Sequence, residues 1–254
     1  MIKQFLATIC RALIRLAGVE CIEDHYYLPA LLGPHSKVVD GGANLGRFSQ
    51  AIVSRHGCHS MAVEPEAKNF SSRPPDARIT WHPCALSGAN GTMVLLISRD
   101  CTAHRLVADL DKDEKNSQTV VCRTLEFILK EANWSGLDLL KLDIEGMEWS
   151  VFDSMSDVQL SKIHQITVEF HDFAGLCPAS DATWKIYRRL AKLGFLEVED
   201  PDAGSYNVLF VKATSLSDPS QRLVLTVLQG AVWLSRKWHR LGCLLRLGGR
   251  TAIA

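Results

Sequence analysis

A chain of 254 residues, 47% apolar and 22% charged, has the length and make-up of one sizeable soluble domain with appendages. Its formal charge is zero, but residues 1–19 and 219–254 hold nine Lys or Arg and no acid, leaving 20–218 with nine excess negative charges. A body that acidic argues against nucleic acid as a partner; eight cysteines without a Cys-x-x-Cys pair argue against a zinc ribbon or redox pair and read as reduced thiols of a cytoplasmic protein.

The opening segment places Ile2, Phe5, Leu6, Ile9, Leu13 and Leu16 at helical spacing, with Arg11 and Arg15 between them. Those arginines and the lack of a small-residue cleavage site argue against a signal peptide, so 1–20 is predicted as a basic amphipathic helix. The domain proper spans 21–214. From about 37 to 213, β-branched runs alternate with helical patterns, the signature of a parallel sheet covered by helices. Strand Lys37–Asp40 leads to a helix near 45–56, strand Met61–Glu64 to a short helix around Glu66–Ser71, and Arg78–Pro83 reads as a third strand. Residues 84–123 break the rhythm and read as strand-rich hairpin structure with a loop near Asp109–Ser117. The alternation resumes with helix 124–132, strand Asp138–Asp143, helix 146–154, strand Gln165–Phe170 and helix 181–193. Phe195–Glu199 and Tyr206–Lys212 close the domain as a hairpin, and 215–254 holds a linker and a second basic amphipathic helix.

Residues 38–46, Val-Val-Asp-Gly-Gly-Ala-Asn-Leu-Gly, carry the first chemical signal. A strand that breaks on glycines and feeds a helix aims backbone N–H groups at a ligand. The dinucleotide fingerprint Gly-x-Gly-x-x-Gly is absent; the pattern is Asp-Gly-Gly-x-x-x-Gly. Facing the ligand, Asp40 would repel pyrophosphate and suit the ammonium of an amino-acid group. Glu64, about 20 residues past the glycines, stands where an acid accepts ribose hydroxyls. A ribose and an amino acid without phosphate describe S-adenosylmethionine. The turn (Asp40, Gly41, Gly42, Asn44, Gly46) and Glu64 are therefore the candidate cofactor site.

The second signal is Leu-Lys-Leu-Asp-Ile-Glu-Gly-Met-Glu, residues 140–148. Ligands of open α/β sheets sit outside the carboxyl ends of strands, which places Asp143 and Glu145 beside the cofactor; Glu145 and Glu148 alternatively just begin a helix, where negative charge suits the dipole. The third is Val-Glu-Phe-His, in which His171 lies just past a strand end and titrates near neutrality. His171 is the candidate general base, with Asp143 and Glu145 beside it. No metal is expected; some of Asp143, Glu145, Glu169 and His171 would be the set to hold one.

Asp-Gly-Gly-Ala-Asn-Leu-Gly, Glu64-Pro65, Ala85-Leu86-Ser87, Thr124-Leu125, the 139–148 segment and Val-Glu-Phe-His, in this order over about 37–211, resemble the FkbM family of methyltransferases. The resemblance implies a Rossmann-like class I methyltransferase sheet, mostly parallel with a terminal antiparallel hairpin and helices on both faces. It also implies methyl transfer from S-adenosylmethionine, typically to a hydroxyl of a sugar, glycan or polyketide-type product, with Ala85 and Asp143 on the cofactor side. Asp100–Leu106 departs from the serine-rich stretch of relatives, which bears on the acceptor side only. Two other readings stand beside this one: a cofactor-binding interaction protein without catalysis, and a nicotinamide-dependent oxidoreductase, which Asp40 and the missing Gly-x-Gly disfavour.

In the tail, Val224, Val227, Leu228, Ala231, Leu234, Trp238, Leu241 and Leu245 recur at helical spacing among basic residues. Neither end is long and apolar enough to span a bilayer. Segments 1–20 and 219–250 can lie on a membrane at its inner surface, pack on the domain, or pair with a second copy as a homodimer; the sequence leaves all three open.

Overall fold

The apolar runs assemble into a seven-stranded sheet in the computed structural model, which describes residues 2–66, 68–69, 75–97, 105–107, 117–174, 181–199 and 207–248. Helix α1 (Ile2–Leu16) precedes a hairpin of β1 (Glu20–Ile22) and β2 (His25–Tyr27). Strand β3 (Lys37–Gly41), helix α2 (Arg47–His56), β4 (His59–Val63) and β5 (Ile79–His82) follow. An insertion supplies β6 (Ala85–Leu86), β7 (Gly91–Leu96), β8 (Arg105–Val107) and β9 (Ser117–Arg123). Then come α3 (Leu125–Glu131), β10 (Leu137–Leu142), α4 (Glu148–Ser154), α5 (Asp157–Leu160) and β11 (Ile163–Glu169). Helix α6 (Ala182–Lys192), β12 (Phe195–Val198), β13 (Asn207–Lys212) and α7 (Pro219–Gly248) complete the chain.

The main sheet runs in the order β12-β13-β11-β10-β3-β4-β5. Neighbours from β11 to β5 are parallel, and β13 alone runs against the rest, paired antiparallel with both β11 and β12. The chain builds outward from β3 to one edge and then crosses back to β10 on the other side. The β3/β10 junction is thus the switch point where ligands bind in such sheets. The expected parallel sheet with a closing antiparallel pair is what forms, with the four strands of the insertion as a separate sheet, β6-β9-β7-β8.

Strands buried on both faces read as continuous apolar runs, and alternation sorts them here. Val39, Leu140 and Leu142 face one core, with Trp149 and Phe152 of α4 and Leu190 of α6. Val38 and Leu139 face the other way, onto Phe48, Ile52 and Val53 of α2. Further along that second face, Leu209 and Val211 of β13 meet the terminal helices.

Both terminal helices pack on the domain. Helix α1 turns Ala7, Cys10, Ile14 and Ala17 inward, a face of mostly small residues that brings it close to α7, while Leu225, Leu228, Ala231 and Val232 of α7 complete the shared core. The stripes expected from the sequence go inward only in part, through Ile9 and Leu13 of α1 and Val224, Leu228 and Ala231 of α7. Phe5 and Leu16 of α1, and Val227 and Leu234 of α7, face outward. Cavity-free packing against neighbours, not apolarity alone, decided which residues went inside.

The β1–β2 hairpin was not expected. Glu23 and Asp24 both sit at positive φ, 47° and 64°, the geometry of a tight two-residue hairpin turn. Helix α2 starts at Arg47, not Leu45, because Gly46 before it is left-handed, φ 75°. The short helix expected over Glu66–Ser71 and the loop at Asp109–Ser117 fall mostly outside the described residues.

If α7 is part of the fold, truncating its inward face must cost stability. Leu228→Ala is expected to destabilise by about 2–5 kcal/mol, whereas Val227→Ala, one residue on and half-exposed, should cost little. Urea denaturation midpoints check both; equal small effects would mean that α7 is dispensable to the core.

Candidate active site

The carboxyl ends of β3, β4 and β10 open on a cleft with about 620 Å³ of unfilled space, open to solvent on one side. Gly42 and Asn44 form one wall, Val63, Glu64, Pro65 and Asn69 a second, and Asp143, Ile144 and Glu145 a third. Ala85, Leu86, Leu95 and Leu106 from the inserted sheet add an apolar side.

The glycine turn is shaped by contacts that allow no side chain. A Cβ on Gly42, at φ 73°, would come within 1.8 Å of the Asp143 carbonyl oxygen, so β3 and β10 can close on each other only through glycine here. Gly46 lies against the Trp81 ring, which a Cβ would meet at 2.5 Å. Asn44 also takes a left-handed conformation, φ 49°, and donates its N–H to Glu64 Oε2 at 2.8 Å. Glu64 Oε1 accepts from the Glu66 N–H at 2.8 Å, so the buried carboxylate is held by two backbone donors at the cleft wall.

Of the residues singled out in the sequence, Gly42, Asn44, Glu64, Ala85, Asp143 and Glu145 line the cleft; Asp40, Gly41, Gly46 and His171 do not. Asp40 corrects the sequence reading. By strand alternation it shares the face of Val38, beneath α2. It is fully buried, accepts from the Ser49 N–H at 3.2 Å and the Ser49 hydroxyl at 2.7 Å, and pairs with Lys141 Nζ at 3.2 Å. It cannot meet a ligand ammonium directly.

Lys141 is the cation that organises this end of the sheet. Its Nζ donates to the Gly42 carbonyl at 2.9 Å and stands 3.5 Å from Asp143 Oδ2. Burial would lower its proton affinity, but Asp40 and Asp143 outweigh that and raise it. Burial likewise works to raise the pKa of Asp143, but Lys141 and then His25 and His171 hold it well below the usual carboxylate range.

Asp143 has a partner that sequence reading missed. His25, delivered by the β1–β2 hairpin, is buried with Nε2 3.5 Å from Asp143 Oδ2 and Nδ1 3.5 Å from Thr167 Oγ1. The signal was the Glu23-Asp24 turn between β-formers, which aims the next residue back over the sheet.

The loop after β10 wraps around Glu148. Its fully buried carboxylate accepts from the N–H groups of Ile144 and Gly146 at 3.1–3.2 Å and from His171 Nδ1 at 2.9 Å. This fixes Glu145 in a left-handed conformation, φ 53°, with its side chain on the cleft wall. His171 sits behind it, buried, with Nε2 3.3 Å from Glu145 Oε2 and 3.8 Å from Asp143 Oδ1.

Burial opposes charge on His171, but the Glu148 hydrogen bond and the charges of Glu148, Glu145 and Asp143 win, pushing it up to about 9. His171, singled out in the sequence as the candidate base, thus stands behind Glu145 and not on the cleft wall. Burial, reinforced by Asp143, Glu148 and Glu169, pushes Glu145 up to about 7 even though His171 works the other way. Burial and the Asp143 charge also raise Glu169. Among the described residues, two sets, His25/Asp143/Glu169 and Asp143/Glu145/His171, place ligand-type atoms within 4.8 Å of one another and could hold a metal ion. Lys141 and the His171 imidazolium already supply positive charge to them.

Residues 40–196 match the family profile described as the methyltransferase FkbM domain. The chain is 28% identical over 158 residues to the 31-O-demethyl-FK506 methyltransferase FkbM of Streptomyces tacrolimicus, covering 62% of this chain and 56% of that protein. It is 25% identical over 183 residues to the AMB antimetabolite synthetase AmbE of Pseudomonas aeruginosa, covering 56% of this chain but 9% of that protein. With Methyltransferase 1 of Beauveria bassiana it shares 24% over 181 residues, covering 61% and 73%. The chain thus spans about half the FkbM relative and a small part of AmbE. Among solved structures, the methyltransferase FkbM from Methylobacillus flagellatus KT aligns at TM-score 0.46 and 15% identity, over 71% of this chain and 44% of that one.

The His171 network has a pH signature. A histidine raised from 6.5 to about 9 in the folded protein stabilises it fully below about 6.5 and loses that contribution as pH climbs through 9. Glu145, raised from 4.5 to about 7, has spent its own contribution by then. Urea midpoints should therefore fall between pH 7 and 9 in the native protein and stay flatter in His171→Gln; parallel pH profiles would remove the imidazolium assignment.

Proposed function

The chain belongs to the FkbM family of methyltransferases, and from that premise we propose that it methylates a hydroxyl oxygen of a sugar, glycan or natural-product-like acceptor, with Glu145 as the catalytic base. The name of the FK506-directed relative describes an oxygen acceptor, which favours oxygen here too. Nicotinamide chemistry is set aside by the family.

The cleft fits S-adenosylmethionine, the methyl donor. Glu64 is held at the cleft wall by backbone N–H groups, where a carboxylate is placed to accept from ribose hydroxyls. Asp143, an anion on the cleft wall at all working pH values, takes over the ammonium-binding role first read into Asp40. Asn44 and Gly42 complete the wall by offering backbone close to the ligand. When bound, S-adenosylmethionine supplies a methyl group activated by a sulfonium, so the residues need chiefly to position the acceptor and receive one proton.

Glu145 is the observation that carries the reading. Its carboxylate is on the cleft wall, held on a strained backbone by Glu148, with a proton affinity near neutrality. A base works best with a pKa near the operating pH. As the acceptor oxygen bonds to the methyl carbon, its proton passes to Glu145 and the carbon–sulfur electrons leave with sulfur. His171, 3.3 Å behind, acts as a positioning residue that keeps Glu145 ionised above pH 7 and aimed outward. His171→Ala would therefore act through Glu145.

Glu145→Gln is expected to lower kcat by on the order of 10²-fold or more, to abolish the rise of kcat through pH 7, and to leave S-adenosylhomocysteine binding unchanged. Glu64→Ala should show the reverse, with cofactor affinity lost first. Labelled-methyl transfer to hydroxyl-bearing extract components, with thermal shift for binding, reads both. A Glu145→Gln protein of native turnover would end the base assignment.

A further inference from the structure

Helices α1 and α7 are packed against each other and the sheet, yet their outer faces keep large apolar residues exposed. Phe5 and Leu16 of α1 are 66% and 71% exposed, and Leu223, Val227, Trp233 and Leu234 of α7 are 44–64% exposed. They are ordered, not scattered. Leu223, Val227 and Leu234 fall at i, i+4 and i+11, one stripe of a helix, with Trp233 on the adjoining row. Phe5, Ala12 and Leu16 repeat in the same way on α1. The inward faces of both helices are already filled by other residues, so this second apolar face does nothing for the core.

Charge says what it meets. Segments 2–16 and 219–248 together carry Lys3, Arg11, Arg15, Arg222, Arg236, Lys237, Arg240 and Arg246, and no Asp or Glu. The chain between them is strongly acidic. A second copy bringing the same face would set basic helices against basic helices. An anionic bilayer does the opposite: it attracts these helices, repels the body and so orients the protein. Exposed Trp and Leu beside arginines suit the headgroup region. Among the described residues no helix is long and apolar enough to cross a membrane, so the contact lies along the surface.

We propose that the paired helices α1 and α7 form a docking surface for an anionic lipid bilayer, with Leu223, Val227, Trp233 and Leu234 entering the interface. The inference is independent of the methyl acceptor. The full chain is co-sedimented with vesicles of phosphatidylglycerol and phosphatidylcholine, and with phosphatidylcholine alone. Pelleting is expected with the anionic vesicles, weakened at high salt, and little with the neutral ones. Leu223→Glu with Val227→Glu replaces two solvent-facing residues. It should reduce vesicle affinity by about tenfold or more while melting temperature and S-adenosylhomocysteine binding stay native.

Failure of the intact protein to pellet with anionic vesicles would overturn the proposal. So would equal pelleting with neutral ones, or native pelleting by the folded double variant. Light scattering of the lipid-free protein provides the last check: a dimer that this variant dissociates would assign the face to a second copy instead.

Discussion

The Lys141 ammonium is the interaction on which this end of the molecule depends. It lies within the sheet with almost no solvent, across the ladder from Asp40, and bridges that carboxylate, Asp143 and the Gly42 carbonyl. Taking an ammonium out of water costs several kcal/mol, and only good partners on several sides repay it. Here they come from both strands of the switch point. The ammonium ties the turn after β3 to the turn after β10, and the absence of a side chain at Gly42 lets those turns touch. Ser49 of α2 completes the shell of Asp40. The cleft is thus assembled from below, by a charge the ligand never sees.

The acids around it then divide by how each is compensated. Asp143, with Lys141 and His25 at one oxygen and His171 near the other, remains an anion. Glu148 is fully buried and spent on two backbone N–H groups and His171, so its work is to shape the loop. Glu145 has one strong partner and several like charges nearby, and it is left near its titration point on the cleft wall. A carboxyl group pushed apart from its neighbours in this way is the usual mark of an acid–base residue. Removing Glu148 would therefore reach Glu145 twice, through the backbone that aims it and the imidazolium behind it.

Much of this was legible in the sequence, because glycines and acids at strand ends have few uses. The order of β3, β4 and β10, the turn at 41–46, Glu64 and the acidic run 143–148 all stand where the pattern put them. Asp40 was misread for lack of one step. A lone lysine in Leu-Leu-Lys-Leu must find a carboxylate inside the sheet, and Asp40 is its register partner. Around His171 three carboxylates from other elements converge, and no local pattern shows that. His25 escaped notice because a two-residue acidic turn looks like solvent-exposed loop. The terminal stripes went inward in part, and small residues such as Ala7 and Ala17 took inward places while Phe5 and Leu16 stayed outside.

The β1–β2 hairpin and the two terminal helices lie outside the matched family region, which begins at Asp40 and ends at Leu196. They are not ornaments on a finished site. The β1–β2 hairpin supplies a buried histidine to Asp143, so a residue from outside the common core helps set the charge of a cleft-wall acid. Helices α1 and α7 close the sheet over β12 and β13, the strands whose antiparallel pairing ends the fold. Around the switch-point charges and the glycine turn stand the inserted sheet, which brings Leu95 and Leu106 to the cleft, the hairpin behind Asp143, and the two basic helices.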